Sequence, residues 1–384
     1  MNPIRPFTLD VPEKDLDDLR QRLAATRWPV DGPDVGTEQG PQTARIRALA
    51  EHWRTRHDWR AAERTLNGWG LFRTEIDGLD IDFAHVRSPH EDALPLVLTH
   101  GWPGSILEFR HVVGPLTDPE AHGGHARDAF HVVLPTLPGF GFSAAPAEPG
   151  WGVGRTAKAW ETLMARLGYE RWGAQGGDLG SAVTEELAHR GAAGLVGIHL
   201  NMLTFDPTPD EVAAADPDER AALDDAERYR HHQSAYAALQ STQPQTIGYS
   251  LADSPAGLAA WLHAIFQDQG GTPGDAEASF DVDELLDNLS LYWLPGSAVT
   301  AARFYWELTR EGWRPPFSRE SPLALPTGVT MTPRDVVRKS RRWTEKRYSN
   351  LVHFGQTASG GHFAAWEQPE QFVADVRATF AGVR

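Results

Sequence analysis

The sequence predicts an α/β fold with a mostly parallel central sheet, an inserted helical cap and an N-terminal helical meander. Two observations carry this. Three short apolar runs, Leu94–Thr99, Phe130–Leu134 and Leu195–Leu200, have the length of buried parallel strands, and a helical pattern lies among them. From about residue 206 to 320 the alternation stops and the period is helical alone, before α/β character returns. The chain thus divides into 1–69 (a meander wrapping the core), 70–205 (first part of the core), 206–320 (cap) and 321–384 (second part of the core).

In chain order, Pro12 suits a helical first turn, and Leu16, Leu19 and Leu23 repeat at helical spacing until Trp28-Pro29 stops the run. Residues 30–69 are rich in Trp, Gly and Pro and read as irregular. Phe72, Thr74 and Ile76 alternate with polar residues, Asp77-Gly78 signals a hairpin, and Ile81 and Phe83 resume the alternation. Trp160, Leu163, Met164 and Leu167 form the apolar face of a crossover helix. The cap segment is acidic over Asp210–Asp225, loosens over Gln267–Ala278, and ends at Pro315-Pro316 and Pro322. Beyond it, a strand is expected at Leu323–Leu325, a turn at Pro326-Thr327-Gly328, a helix near Asp335–Arg342, a strand at Leu351–Phe354 and an amphipathic helix from about Pro369.

Composition bounds the function. The 384 residues are 41% hydrophobic and 23% charged, ordinary for a globular protein. The absence of Cys removes disulfides, thiolate nucleophiles and thiolate metal sites. A net charge of −16 argues against nucleic acid as a partner. No apolar run reaches a membrane span and the start Met1-Asn2-Pro3-Ile4-Arg5-Pro6 is no signal peptide, so a cytoplasmic protein without a membrane anchor is expected. The 14 Trp mostly serve packing, with some lining a pocket for an apolar ligand. His231-His232 point apart on a helix and lack ligand spacing, so no metal and no cofactor is expected.

The chemistry concentrates at Gly176-Gly177-Asp178-Leu179-Gly180, which follows the strand-like run Arg171–Gln175 and precedes a helical pattern. Small residues around a tight strand-to-helix turn make a nucleophile elbow, the mark of an α/β-hydrolase fold. A serine usually stands at its tip; here it is Asp178. A carboxylate attacking saturated carbon forms an ester that water can cleave, whereas serine would form an inert ether. Asp178 therefore points to epoxide opening or dehalogenation followed by ester hydrolysis. The loop His100-Gly101-Trp102-Pro103-Gly104-Ser105 follows a strand and would face the elbow. The backbone N–H groups of Trp102 and Leu179 are the expected oxyanion-hole donors, and a cis Trp102–Pro103 bond would suit so tight a turn. The chain order nucleophile, acid, base points to Asp335 and then His362, in Gly360-Gly361-His362-Phe363. His362 would take a proton from water and Asp335 would fix its tautomer. A helix N-cap is the competing reading of Asp335; Asp283 and Glu345 are less well placed.

These motifs together resemble the microsomal-type epoxide hydrolases over nearly the whole chain. The resemblance rests on Pro6-Phe7, Leu16-Asp17-Asp18-Leu19-Arg20, Trp28-Pro29, His100-Gly101-Trp102-Pro103, Leu137-Pro138-Gly139-Phe140-Gly141-Phe142-Ser143, Gly176-Gly177-Asp178 and Gly361-His362-Phe363-Ala364-Ala365. It implies a small-molecule epoxide substrate and two cap tyrosines that donate hydrogen bonds to the epoxide oxygen. Tyr305 in Arg303-Phe304-Tyr305-Trp306-Glu307 matches one, and Tyr236 is similar to the other, with Tyr229 and Tyr249 as rivals. Trp102, Leu179, Trp306 and Phe363 are expected to line the substrate pocket. The chain departs from the family at Leu179, where Trp is common, in lacking the membrane anchor of animal members, and at Asp335, where some relatives carry Glu. A haloalkane-type dehalogenase and a non-catalytic ligand-binding homologue remain alternatives. Substrate identity, a homodimeric state, and a role in detoxification or natural-product biosynthesis stay open.

Overall fold

The structure, a computed structural model, describes residues 3–33, 35–310 and 322–384. Over these residues the strands β1 (Arg5–Pro6), β2 (Leu71–Ile76), β3 (Leu79–Val86), β4 (Leu94–Thr99), β5 (Phe130–Pro135), β6 (Trp172–Gly176), β7 (Leu195–Leu200), β8 (Thr327–Met331) and β9 (Leu351–Gln356) form one sheet. Its order is β1-β2-β3-β5-β4-β6-β7-β8-β9. The pairings from β5 through β9 are parallel, and β1, β2, β3 and β5 pair antiparallel in succession. The hairpin between β2 and β3 turns at Asp77-Gly78, both at positive φ (53° and 79°), as the twist of a two-residue hairpin requires. The central strands are buried on both faces: Leu96 and Leu98 of β4 join one apolar cluster, and Val97 joins the other. That explains why these strands read as unbroken apolar runs rather than alternating ones.

Helices α1 (Glu13–Ala24), α2 (Thr43–Thr55) and α3 (Trp59–Gly68) precede the sheet proper, and α4 (Arg110–Thr117), α5 (Val153–Arg166) and α6 (Leu179–His189) lie among its strands. On α5, Ala157, Trp160, Leu163 and Met164 are buried at helical spacing, and the Trp160 indole donates to Thr99 Oγ1 at 3.1 Å, so its one polar atom is satisfied. Between β7 and β8 the described chain is helical: α7 (Pro209–Ala213), α8 (Pro217–His232), α9 (Ala235–Thr242), α10 (Pro244–Asp253), α11 (Pro255–Gln269), α12 (Val282–Trp293) and α13 (Ala298–Arg310). Then α14 (Arg341–Arg347), α15 (Ala364–Glu367) and α16 (Pro369–Phe380) complete the fold. Among the described residues no helix is long and apolar enough to cross a membrane.

The N-terminal segment differs from the irregular meander expected over 30–69. It contains α2 and α3. Ile46, Leu49, Ala50 and Trp53 bury one face of α2, and Asp58 caps α3 by accepting from the Arg60 N–H. Glycine and proline concentrate before residue 42 and masked the helical periodicity beyond it. The Trp53 indole donates to Ser290 Oγ on α12 at 3.0 Å, His57 pairs with Asp287, and Arg45 reaches Asp275 and Glu277. The segment therefore ties down the inserted helices.

Three expectations near the C-terminal core are corrected. Leu323–Leu325 is not a regular strand; Leu323 makes an isolated bridge to Tyr348. The strand is β8, through the Thr327-Gly328 pair that read as a turn. Gly328 is there for close packing, since a Cβ would fall 1.7 Å from Thr379 Oγ1 on α16. The helix expected near Asp335–Arg342 begins only at Arg341, capped by Ser340, which accepts from the Trp343 N–H. In the inserted segment, α11 runs to Gln269, so the looseness expected over Gln267–Ala278 starts only beyond that residue. The breakers Pro315-Pro316 lie outside the described residues.

Candidate active site

Asp178 sits between β6 and α6 with φ 51° and ψ −125°, a conformation L residues rarely adopt. Its neighbours make this geometry possible. A Cβ at Gly180 would lie 1.9 Å from the Thr99 carbonyl oxygen, so only glycine lets α6 start this close to β4. The sharp turn lifts the Asp178 carboxylate clear of the sheet's end, the position of ligand sites in open α/β sheets.

Two groups meet that carboxylate. The Trp102 N–H donates to Oδ1 at 2.9 Å, and His362 Nε2 lies 3.4 Å from Oδ2. On its other side His362 Nδ1 is 3.0 Å from Asp335 Oδ1. Asp335 is thus a buried partner of the imidazole, not a helix cap, since no helix begins there. Burial alone would lower the pKa of His362, but Asp335 and Asp178 outweigh it and hold it well above its ordinary value. Leu179 is buried as the first residue of α6, where a helix leaves its N–H groups without intrahelical partners. The Trp102–Pro103 bond is cis.

The histidine loop is pinned by backbone contacts. The His362 N–H donates to the Gln269 carbonyl at 2.8 Å. Glu367 gathers the N–H groups of Gly361 (3.0 Å) and Phe363 (3.2 Å) on Oε1 and that of Gly271 (2.6 Å) on Oε2. One carboxylate therefore fastens the loop carrying His362 to the end of α11. Burial raises the pKa of Glu367 to about 7 against these hydrogen bonds.

The inserted helices bring two phenols over the same loop. The Tyr236 ring stacks on Trp102 with centroids 4.9 Å apart, and Tyr305 meets Trp102 edge-on at 5.7 Å. The two tyrosine rings are 6.1 Å apart. Burial and the Asp178 charge push Tyr236 up to about 12 and Tyr305 well above its ordinary value, so both phenols keep their protons at neutral pH. Of the rivals to Tyr236, Tyr249 is 71% exposed, whereas Tyr229 bonds Tyr236 hydroxyl to hydroxyl at 2.8 Å. The Gln269 side chain also donates to the Tyr236 hydroxyl, at 3.4 Å.

Not every expected residue joins the cluster. Phe363 lines the cavity beside Asp178 and His362. Trp306 instead borders a separate cleft with Pro138, Trp151 and Gln245, where the Arg310 guanidinium stacks on its ring. Tyr305 and Trp306 are adjacent on α13 and so project about 100° apart, which one-residue adjacency in sequence conceals. His231 and His232 are exposed, and among the described residues no group of three His, Asp or Glu side chains could hold a metal. Sequence reasoning passed over Glu108, Asn201, Gln269 and Glu367. Glu108 left a signal, a lone charge inside the apolar run Ile106-Leu107-Glu108-Phe109 directly after the Trp102 loop.

The chain is similar to known proteins over its whole length. The family described as "Epoxide hydrolase N terminus" matches residues 4–109, and the "alpha/beta hydrolase fold" family matches residues 95–242. A Stigmatella aurantiaca protein named "Putative epoxide hydrolase" is 49% identical over 99% of this chain and 86% of its own length. Epoxide hydrolase 1 of Sus scrofa is 33% identical over 97% of this chain and 88% of its own. The solved Aspergillus niger epoxide hydrolase superposes with a TM-score of 0.87 at 31% identity, covering 100% of this chain and 97% of that one. The juvenile hormone epoxide hydrolase of Bombyx mori superposes at 0.89 with 27% identity, covering 100% and 95%. With an elbow aspartate, a histidine held by a buried carboxylate, an α/β-hydrolase sheet and full-length similarity to these proteins, the chain belongs to the epoxide hydrolases and is a hydrolase acting on epoxides.

Proposed function

We propose that the enzyme converts its epoxide to a vicinal diol through a covalent ester on Asp178. The observation that carries this reading is the bridge Asp178–His362–Asp335, with Oδ2 to Nε2 at 3.4 Å and Nδ1 to Oδ1 at 3.0 Å. A carboxylate at the elbow attacks one oxirane carbon, and the C–O bond at that carbon breaks. The oxygen it releases is a poor leaving group unless protonated. Tyr236 and Tyr305, phenols that keep their protons, are the donors for that charge. Water then attacks the ester carbonyl carbon of Asp178. His362 takes its proton, and the N–H groups of Trp102 and Leu179 stabilise the oxyanion.

Charge bookkeeping supports the two-step order. In the free enzyme two carboxylates raise the pKa of His362 and favour its protonated form, which is no base. Esterification neutralises Asp178 and removes one of the influences that raise His362. The proton that His362 gives up neutralises the phenolate left by ring opening, and the imidazole then becomes a base at the stage when water must be deprotonated. Asp335 stabilises the imidazolium as it reforms.

The cytoplasm remains the proposed compartment, on sequence grounds alone. The test of the mechanism is trapping. His362→Gln, mixed with a small aryl epoxide and quenched, should carry a mass adduct on the peptide containing Asp178. Turnover without any adduct in this variant would count against the covalent route.

A further inference from the structure

Ester hydrolysis needs a water that is held and aimed as well as deprotonated. Beside Asp178 and His362 lies a cavity of about 10 Å³, close to the room that one water molecule needs. Its wall includes Gly101, Gly104, Asn201 and the side chain of Glu108, while neither Tyr236 nor Tyr305 borders it.

Glu108 stands in a short 3-10 turn, Ile106–Phe109, that Ser105 caps by accepting from the Leu107 N–H at 3.2 Å. The side chain folds back over the loop that carries Trp102. A Cβ on Gly104 would fall 2.1 Å from Glu108 Oε2, so glycine at 104 leaves the carboxyl its place. Burial raises the pKa of this group well above the usual carboxylate range; His362 opposes the rise and Asp178 adds to it. Among the described residues, no protein group donates a hydrogen bond to its carboxyl, and its electrostatic neighbours include His362, Asp178 and Tyr292. Glu108 is half-buried and opens onto this cavity, and a carboxyl largely withdrawn from solvent without a protein partner calls for something polar, such as water, to meet it.

We propose that Glu108 is the water-positioning residue of the hydrolytic half-reaction: the water in this cavity donates one proton to a Glu108 oxygen and the other to His362 Nε2, leaving a lone pair aimed at the carboxyl carbon of Asp178. This rests on the ester route for Asp178. In the step itself, the water oxygen bonds to that carbon and its proton passes to His362 Nε2. The tetrahedral adduct then expels the diol oxygen, which takes the proton from His362. Asp178 is regenerated with one oxygen from water. Glu108 gains and loses no proton; it accepts a hydrogen bond throughout.

The test separates the two half-reactions by rapid-quench single turnover of a small aryl epoxide, read as ester mass on the Asp178 peptide. Glu108→Leu keeps bulk and removes the acceptor. It should prolong the ester at least about tenfold, less than the roughly hundredfold or more for a group that itself moves the proton, while ester formation changes less than about threefold. Glu108→Gln keeps one acceptor oxygen and should recover part of the loss. An ester in Glu108→Leu that decays as fast as in the unmodified enzyme overturns the proposal, as does equal slowing of both half-reactions, which would mark Glu108 as structural. Should Glu108→Leu fail to fold, Glu108→Asp, with the carboxyl drawn back by one methylene, carries the same two readouts. Absence of ester in the unmodified enzyme and in His362→Gln alike would instead sink the covalent reading, a result distinct from any of these.

Discussion

Asp178 and His362 face each other with Oδ2 and Nε2 3.4 Å apart, and the carboxylate helps hold the imidazole in its charged form. The nucleophile and the base of the proposed cycle are thus coupled. The charge on Asp178 is one of the influences that raise the pKa of His362.

That coupling is open to measurement. In Asp178→Asn the amide keeps the shape and loses the charge, so one of the influences raising His362 disappears and its pKa should fall. Imidazole carbon-bound proton shifts recorded over a pH series would measure it. An unchanged titration would mean that Asp335 alone sets the charge on His362.

Oxygen bookkeeping checks the nucleophile. In one turnover in heavy-oxygen water, the label should appear in Asp178 and be absent from the first diol released. Label found first in the diol would mean direct attack by water on the epoxide. Asp178→Ala should lower turnover by at least about a thousandfold, as loss of a nucleophile does elsewhere.

The phenols should divide by contact. Tyr305→Phe and Tyr236→Phe each remove a proposed donor to the epoxide oxygen and should slow ester formation by about 10–100-fold, approaching the cost of losing one oxyanion-hole donor. Tyr229→Phe removes only the hydroxyl that meets Tyr236 at 2.8 Å and should cost less than about tenfold. Burst kinetics on the three variants would rank them. A larger effect at Tyr229 than at Tyr236 would reverse the assignment.

Glu367 should affect kcat more than KM. Its carboxylate holds the N–H groups on both sides of His362 and that of Gly271. In Glu367→Gln the amide nitrogen must confront at least one of those donors, which should loosen the His362 loop and slow turnover by about tenfold. Steady-state kinetics with unchanged KM and reduced kcat are expected; full activity would remove the loop clamp from the mechanism.

Stability should depend on pH through Glu185. This carboxyl is buried against the hydroxyls of Tyr348 and Thr204, and burial raises its pKa from 4.5 to about 7. Between those two values the folded chain keeps a proton that the unfolded chain has released. Its contribution therefore falls as pH rises from 4.5 to about 7 and is flat above. The change is on the order of 3 kcal/mol. Denaturant titrations at several pH values should show the decline, and Glu185→Gln should flatten it. A slope unaltered by that substitution would assign the pH dependence to other groups.

The sequence by itself determined the class of fold and the class of reaction. Apolar runs of strand length, the glycines around Asp178 and the order Asp178, Asp335, His362 are local patterns. Each is imposed by nearby sterics or chain direction, so each is visible without neighbours in space. The stretches between such patterns depended on tertiary contacts. Gly328 read as a turn residue until α16 was seen against it, and Asp335 had a cap as its rival until His362 was found beside it. Tyr305 and Trp306 are neighbours in the chain, yet only the packing of α13 on the Trp102 loop decides which of them meets Trp102. Glu108 is the strongest case. Its charge stands out within an apolar run, but its proposed role came only from the fold, which brings that carboxyl to the cavity beside Asp178 and His362.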